Sequence, residues 1–170
     1  MIQKYSDLRV LEVFFKEPMT MHFIRELSRK INLSAPSVKI IVDRLIQSGL
    51  IKLRKSKPFD GYVANRENDS FFFYKKAFNL WSLEKLKDSI VNSLHPKAIV
   101  LFGSYSRGED IESSDIDILI ISNVKKELKL SSIEKELKRS VNIMIVKDLK
   151  ELDQLIVNKI HNGIVIYGEI

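Results

Sequence analysis

Residues 101–120 read LFGSYSRGEDIESSDIDILI, and this stretch says most about the fold and the chemistry of the chain. An apolar strand runs into Gly103 and Ser104, after which a short polar helix is predicted. Glycine allows backbone N–H groups to approach a phosphate closely, and the serine hydroxyl adds a donor. Arg107, one helical turn further on, can reach the same anion. The pattern therefore predicts a phosphate-binding corner at the end of a strand.

Two carboxylates follow this corner. Asp115 and Asp117 flank Ile116 at the start of the next predicted strand, and residues two apart on a strand share a face. Such like charges are unfavourable without a cation, and Mg²⁺ resolves the conflict because it takes few protein carboxylates together with phosphate oxygens. Taken alone, the Gly-Ser pair is typical of a turn and the Asp-x-Asp pair of a solvated strand end. In this order they indicate phosphoryl or nucleotidyl transfer.

The C-terminal region around this stretch alternates between strands and helices. Strands are predicted at 98–102, 116–121, 141–146 and 164–167, and helices at 126–137 and 149–161. Pro96 opens this region, and a long helix is predicted before it over residues 72–93.

The N-terminal region has the pattern of three helices and a hairpin. Three helices are predicted: one over residues 7–16, a second that starts after a Thr20 cap, and a third that runs from a Ser34 cap to Gly49. The apolar positions of the third helix are expected to be buried; they are Val38, Ile41, Leu45 and Ile46. Strands at 50–57 and 62–66 flank a turn over residues 58–61 that contains Asp-Gly.

Residues 5–68 resemble a winged helix-turn-helix domain through the segments 23–28, 33–38 and 45–51. The resemblance implies that the third helix enters the DNA major groove and that the hairpin follows the DNA backbone. The candidate DNA-binding residues are Ser34, Ser37, Lys39 and Arg44 on that helix, and Lys52, Arg54, Lys55 and Lys57 on the hairpin. A role as a partner or dimer surface stays open, because Ile40 is apolar where DNA-reading members usually show a polar or basic residue.

Residues 83–170 resemble the minimal nucleotidyltransferases of the DNA polymerase β superfamily, through the Gly-Ser corner, the Asp-x-Asp pair and the ending 160–168. The resemblance implies transfer of a nucleoside monophosphate from a nucleoside triphosphate to a hydroxyl acceptor, with two Mg²⁺ ions and release of pyrophosphate. It implies that Gly103 and Ser104 hold the β- and γ-phosphates and that Asp115 and Asp117 ligate the metals. Arg107, which can reach the same anion, is the third candidate nucleotide-binding residue. ATP is the expected triphosphate.

The expected fold class is α+β, with an N-terminal winged helix-turn-helix domain followed by a nucleotidyltransferase domain of the polymerase β palm type. The second domain is expected to have a small mixed sheet flanked by helices. The expected bounds are 1–70 for the winged domain, 71–94 for a connecting helix and 95–170 for the nucleotidyltransferase-like domain.

Asn142 stands where the resembled family supplies a third catalytic carboxylate. Its amide oxygen ligates Mg²⁺ weakly and cannot act as a base. A lone amide in an apolar strand predicts a polar neighbour. Three hypotheses remain open: a slow enzyme or one with its base supplied elsewhere, a nucleotide-binding protein without turnover, and a protein that has lost both functions. The acids of the connecting loop are not aimed at the site by their spacing; they are Glu109, Asp110 and Glu112.

Composition excludes several classes of protein. Without cysteine there are no disulfides, thiolate metal sites or cysteine nucleophiles. No apolar run approaches the ~20 residues of a membrane span, and the first ten residues lack a signal-peptide core, so a cytoplasmic location without a membrane partner is expected. The net charge of +6 originates in residues 1–93. This basic half favours a polyanionic partner, with a merely solvated basic surface as the alternative.

Three functions follow from these observations. The first, and favoured, is an enzyme whose acceptor is a partner protein, since the resembled proteins include antitoxins that pair with HEPN-type RNase toxins. The second is a DNA-binding transcriptional regulator with a catalytically impaired nucleotide-binding domain. The third is a scaffold that forms a homodimer through Ile40 and the aromatic run 71–74. The three histidines are interpreted as structural or surface residues.

Overall fold

The computed structural model describes residues 5–170. The first four residues, which belong to the segment predicted to lack a signal-peptide core, lie outside this range. The chain divides into two compact units, one that ends at Lys75 and one that runs from Lys76 to Ile170. Within residues 5–170, no helix is both long enough and apolar enough to cross a membrane.

The N-terminal unit consists of three helices and a two-stranded sheet. Its elements are α1 (Tyr5–Lys16), α2 (Ile24–Ile31), α3 (Ala35–Gln47), β1 (Ile51–Arg54) and the antiparallel β2 (Gly61–Ala64). Ser34 caps α3 as predicted, because its Oγ accepts a hydrogen bond from the backbone N–H of Ser37. Val38, Ile41 and Leu45 are buried as predicted, whereas Ile46 is only half-buried and Val42 completes the stripe.

Two local predictions for this unit are wrong. Thr20 does not cap α2, which begins after Phe23, because His22 is drawn into an extended bridge with Tyr62 through two backbone hydrogen bonds of 2.8 Å. The first hairpin strand ends at Arg54 rather than residue 57. The reason is Asp60, whose carboxylate accepts hydrogen bonds from the backbone N–H of Ser56 and the ammonium of Lys55, so that these residues join the turn.

The long helix predicted over residues 72–93 is two helices, α4 (Asp69–Ser82) and α5 (Glu84–Leu94). The break falls at Leu83, whose N–H bonds three residues back to Leu80 instead of four. Ser82 contributes to the break, since its hydroxyl bonds to the carbonyl of Asn79. The boundary between the two units lies within α4.

The C-terminal unit is a four-stranded mixed sheet with helices on both faces. Its elements after α5 are β3 (Ala98–Phe102), α6 (Gly103–Arg107), β4 (Ile116–Ile121), α7 (Ser131–Leu137), β5 (Val141–Val146), a 3-10 turn (Leu149–Glu151), α8 (Gln154–His161) and β6 (Ile164–Gly168). The strand order is β5-β4-β3-β6, with β4 and β5 parallel and the other pairs antiparallel. The predicted fold class is confirmed.

Two helices of this unit are shorter than predicted. The helix predicted over 126–137 begins only at Ser131. The helix predicted over 149–161 is split, because Asp148 caps the 3-10 turn and Asp153 caps α8, each through its carboxylate and a backbone N–H at 2.9 Å. Two successive caps end one helical segment and start the next.

The two faces of the sheet contact different helices. Ile116, Ile118 and Ile120 pack in one core cluster with Leu86 and Ile90 of α5. Leu119 and Ile121 belong to the opposite cluster, which includes Ile160 of α8. Because side chains alternate along a strand, Asp117 shares the face of Leu119 and therefore lies on the α8 side.

Candidate functional site

The site begins with a row of residues across three neighbouring strands. Phe102, the last residue of β3, is in register with Asp117 of β4, and Asp117 is in register with Asn142 of β5. The two aspartates and the asparagine therefore meet at the end of the sheet where β3 passes into α6. Asp115 and Asn142 are exposed and Asp117 is half-buried, so a ligand can reach all three.

Asn142 connects the two carboxylates. Its Nδ2 donates to Asp115 Oδ2 at 3.3 Å and to Asp117 Oδ1 at 3.2 Å. Asp115 precedes the first residue of β4, yet its side chain reaches the same amide as Asp117. The two carboxylates are thus brought together, and the amide N–H groups offset part of their repulsion. The polar neighbour predicted for Asn142 is the aspartate pair itself.

Gly103 is required by the way the backbone approaches Asp117. Its φ is +75°, in the left-handed region, and a Cβ at this position would lie 2.4 Å from Asp117 Oδ2. Any side chain would therefore displace the carboxylate. Ser104, which follows in α6, is half-buried, and within residues 5–170 its hydroxyl forms no hydrogen bond.

A buried network holds α6 in place, and sequence reasoning missed it. Tyr105 is 5% exposed, and its hydroxyl lies 3.0 Å from Ser82 Oγ. Asn79 Nδ2 donates to the carbonyl of Tyr105 at 2.9 Å and to Asp110 Oδ1 at 2.7 Å. Burial raises the pKa of Tyr105 to about 12, so the phenol stays neutral at physiological pH. The network thus fixes α6, which begins with Gly103 and Ser104, to α4.

The acids of the connecting loop have other roles in the structure. Asp110 is 1% exposed and accepts from Asn79, with Arg139 Nη2 at 3.7 Å from its other oxygen. Glu109 pairs with Arg107, with Oε2 and Nε 2.7 Å apart and both side chains 49% exposed. An exposed pair of this kind contributes little and can be exchanged for a phosphate. Arg107 can therefore bind a phosphate in place of Glu109.

Two cavities are lined by Asp117 and its neighbours at this end of the sheet. The larger, of about 390 Å³, is lined by Phe102, Gly103, Arg107, Asp117, Lys159 and Asn162. The smaller, of about 260 Å³, is lined by Phe102, Asp117, Asn142, Ile143, Met144, Ile156 and Lys159. Apart from Phe102 and Gly103, the residues that line the first cavity are polar, whereas most of those that line the second are apolar. Sequence reasoning missed the contribution of Ile156 and Lys159 of α8, which precede the ending 160–168 quoted for the family resemblance, whereas Asn162 lies within that ending.

Comparison with known proteins identifies the C-terminal unit. A family model described as a nucleotidyltransferase domain matches residues 83–167, half of the chain. The chain belongs to the nucleotidyltransferase family. A second model, described as a winged helix-turn-helix DNA-binding domain, matches residues 24–52. Both resemblances inferred from the sequence are confirmed.

Three relatives of the chain come from Methanocaldococcus jannaschii, and each is named "Putative protein adenylyltransferase". The first is 38% identical over 64 residues, which is 37% of the present chain and 74% of the relative. The second is 49% identical over 47 residues, 24% of the chain and 47% of the relative. The third is 50% identical over 38 residues, 22% of the chain and 38% of the relative. The last two matches each cover less than half of the relative's length.

In the N-terminal unit, called the winged unit below, most of the candidate DNA-binding cations are paired. Lys39 bonds to Asp43, and Arg44 bonds through Nη2 and Nε to Asp7, which is only 3% exposed. Lys52 and Lys55 lie 2.9 Å from Glu67 and Asp60. Within residues 5–170, Arg54 and Lys57 have no ion pair. Arg44 thus ties α3 to α1, and two hairpin cations remain free for phosphates.

Ser34, Ser37 and Ile40 lie on the part of α3 that is proposed to face DNA. The hydroxyl groups of Ser34 and Ser37 are 2.8 Å apart, and the first caps the helix. Ile40 is 58% exposed, so this face of α3 presents an apolar group together with two small polar ones.

His22 lies at the centre of a polar cluster in the N-terminal unit, between Glu17 and Glu26. It is fully buried, with its ring edge-on to Phe14, and its Nδ1 lies 3.0 Å from Glu26 Oε1. Burial disfavours the charged form of Glu26, but hydrogen bonds from Lys30 and His22 lower its pKa below the usual value. Lys30 also bonds to Glu17, so its ammonium balances the two carboxylates around the histidine.

Proposed function

We propose that this chain transfers the AMP moiety of ATP, as a Mg²⁺ complex, to a hydroxyl group of a partner protein. The observation that supports this most strongly is the reach of the Asn142 amide, which donates to Asp115 and Asp117 at once. Two carboxylates that share one amide donor, beside a glycine at which an added Cβ would displace one of them, form a donor set suited to a hard divalent cation with bound phosphates.

Each residue of the site has a proposed role. Asp115 and Asp117 would hold Mg²⁺, which when bound neutralises charge on the phosphate oxygens. Gly103 and Ser104 donate to the β- and γ-phosphates, and Arg107 joins them after exchanging Glu109 for phosphate. The protein thereby orients the α-phosphate toward the acceptor, and positioning of this kind supplies much of the rate in phosphoryl transfer.

The reaction needs no covalent enzyme intermediate. The acceptor oxygen forms a bond to the α-phosphorus, the bond from that phosphorus to the bridging oxygen breaks, and pyrophosphate leaves with the electron pair. The acceptor proton goes to solvent, because Asn142 has no basic atom. A site without a general base is expected to turn over slowly, since such a base typically contributes about 10²- to 10⁴-fold.

The choice of a protein acceptor rests on the relatives, which are named as protein adenylyltransferases. The family resemblance adds a class of acceptor, a HEPN-type RNase toxin for which this chain would be the antitoxin. The apolar walls of the smaller cavity suit a side chain or base rather than a phosphate.

The direct test is transfer of label. The purified chain is incubated with α-labelled ATP and Mg²⁺, with and without a candidate toxin, and both labelled protein and released pyrophosphate are measured. We expect both products to appear in equal amounts and only in the presence of the acceptor. Tight Mg²⁺-dependent ATP binding without either product, across a panel of acceptors, would instead support the regulator hypothesis.

DNA binding through the winged unit is the second proposed activity, supported by Arg54 and Lys57, the hairpin cations without an ion pair. The double substitution Arg54→Gln and Lys57→Gln should weaken binding to all duplexes alike. The slope of log affinity against log salt concentration should become shallower by about 1.8, since each phosphate that the hairpin no longer neutralises accounts for about 0.9 of that slope. Affinity is measured by fluorescence anisotropy at several salt concentrations.

The control for this experiment is Lys147→Gln with Lys150→Gln, which removes the same charge from exposed positions of the other unit. An equal change of slope in both double variants would show that only the net charge matters, and the hairpin assignment would then be wrong. Absence of DNA binding in the unmodified chain would leave the winged unit as a partner surface, with Ile40 at its centre.

A further inference from the structure

Lys159 is the cation that the two cavities share. It lies in the last turn of α8 and lines both cavities together with Phe102 and Asp117. Within residues 5–170 it forms neither a hydrogen bond nor an ion pair. An ammonium group with no protein partner, beside a carboxylate that would hold a metal, is available for an anionic ligand.

Arg107 lines only the larger cavity, and its charge is already shared with Glu109 at 2.7 Å. Lys159 needs to break no ion pair to bind a phosphate. Between these two cations, the one on α8 is therefore the better prepared for the triphosphate. Lys159 also lines the smaller cavity together with Met144 and Ile156, a setting that suits a lysine whose stem packs on apolar groups while its head reaches a polar one.

The charge of the site makes this cation more important. With Asn142 in the row, the two aspartates carry −2 and no third carboxylate is present to hold a second metal ion. A nucleoside triphosphate adds several further negative charges around the α-phosphate. One divalent cation cannot balance them, and an unpaired ammonium at the shared wall supplies additional positive charge.

We propose that Lys159 binds the triphosphate and supplies charge neutralisation that a second Mg²⁺ would otherwise supply, so that the site holds one Mg²⁺. This inference rests on the proposed nucleotidyl transfer. As the bond between the α-phosphorus and the bridging oxygen breaks, the ammonium stabilises the charge that develops on the leaving pyrophosphate. Lys159 donates a hydrogen bond in this step, and the acceptor proton still goes to solvent.

The first test is binding of a non-hydrolysable ATP analogue with Mg²⁺ by calorimetry. Lys159→Met keeps the length of the side chain without its charge and should weaken binding by about 10- to 100-fold, the range for loss of a charge-assisted hydrogen bond. Lys159→Arg should restore most of the affinity, and adenosine alone should bind equally to all three proteins. Lys150→Met, an exposed lysine outside both cavities, is the matched control and should bind like the unmodified chain.

The second test counts metal ions. Mn²⁺ bound in the presence of the analogue is measured by electron paramagnetic resonance, and we expect one ion per site in the unmodified chain and two in Asn142→Asp. In the double variant Lys159→Met with Asn142→Asp, the second ion should restore part of the lost affinity.

Failure of this inference differs from failure of the proposed function. Two Mn²⁺ ions in the unmodified chain, or equal affinity in Lys159→Met, would overturn the role of Lys159 and leave nucleotide transfer standing. No binding of the analogue to the unmodified chain at any Mg²⁺ concentration would overturn both.

Discussion

Replacing Asp117 with Asn is expected to abolish measurable nucleotide transfer and to remove the stabilisation of the protein by ATP and Mg²⁺. The substitution keeps the shape of the side chain and still offers an oxygen to the amide of Asn142, whose Nδ2 lies 3.2 Å from Oδ1 of Asp117 in the unmodified chain. What it removes is one of the two charges proposed to hold the metal. Loss of partners that merely support metal ligands costs about 10- to 100-fold in affinity or activity, so loss of a ligand should cost at least about 100-fold.

The same variant should not be less stable without ligand. Asp115 and Asp117 reach the same amide, and removing one of two neighbouring like charges relieves repulsion in the unliganded protein. Thermal unfolding, with and without ATP and Mg²⁺, measures both effects on one sample. The control is Glu136→Gln, which removes an exposed carboxylate of α7 that pairs with Lys85 and lines neither cavity. If Asp117→Asn transfers AMP at the unmodified rate, the metal assignment is wrong.

Replacing Gly103 with Ala should have the second large effect, and on both stability and binding. A non-glycine residue at a φ of +75° costs roughly 1–2 kcal/mol. The added Cβ would stand 2.4 Å from Asp117 Oδ2, so the carboxylate must also move. We expect a lower unfolding temperature together with loss of Mg²⁺-dependent ATP binding, measured by thermal unfolding and calorimetry.

Gly49→Ala separates the two consequences. Gly49 has a φ of +72°, and a Cβ there would meet only the Asn68 side chain. This variant carries the same backbone cost at a position in the other unit, and it should lose stability while keeping ATP binding. Equal retention of ATP binding in Gly103→Ala would show that the corner tolerates a displaced carboxylate, against the geometry proposed for the site.

Much of the site was predictable because its core is encoded locally. The Gly-Ser corner, the strand that precedes it and the Asp-x-Asp pair depend on residues close in sequence, where strand alternation and the conformational freedom of glycine apply directly. Even the departure at Asn142 was visible as an amide within an apolar strand. The roles of these residues in catalysis stay a prediction until the variants above are measured.

The errors in the predicted elements share a physical cause. The break at Leu83, the late start of α2 after Phe23 and the early end of β1 at Arg54 all depend on a polar group that finds a partner elsewhere. A hydroxyl that bonds back to a helix carbonyl, or a carboxylate that gathers N–H groups of a turn, changes the end of an element without changing its apolar pattern. Periodicity therefore predicted where helices and strands occur, but it misplaced their ends and merged two pairs of neighbouring helical segments.

By itself, the sequence determined the order of helices and strands, the two-part organisation of the charge and the corner at Gly103, since these follow from composition and from neighbours along the chain. Only the tertiary structure decided which cations are free. Arg44 is held by Asp7, 37 residues earlier in the chain, whereas Lys159 lies unpaired at the wall of both cavities. The reason is that an ion pair depends on distance in space, and residues far apart in sequence become neighbours only when the apolar faces of their elements have packed.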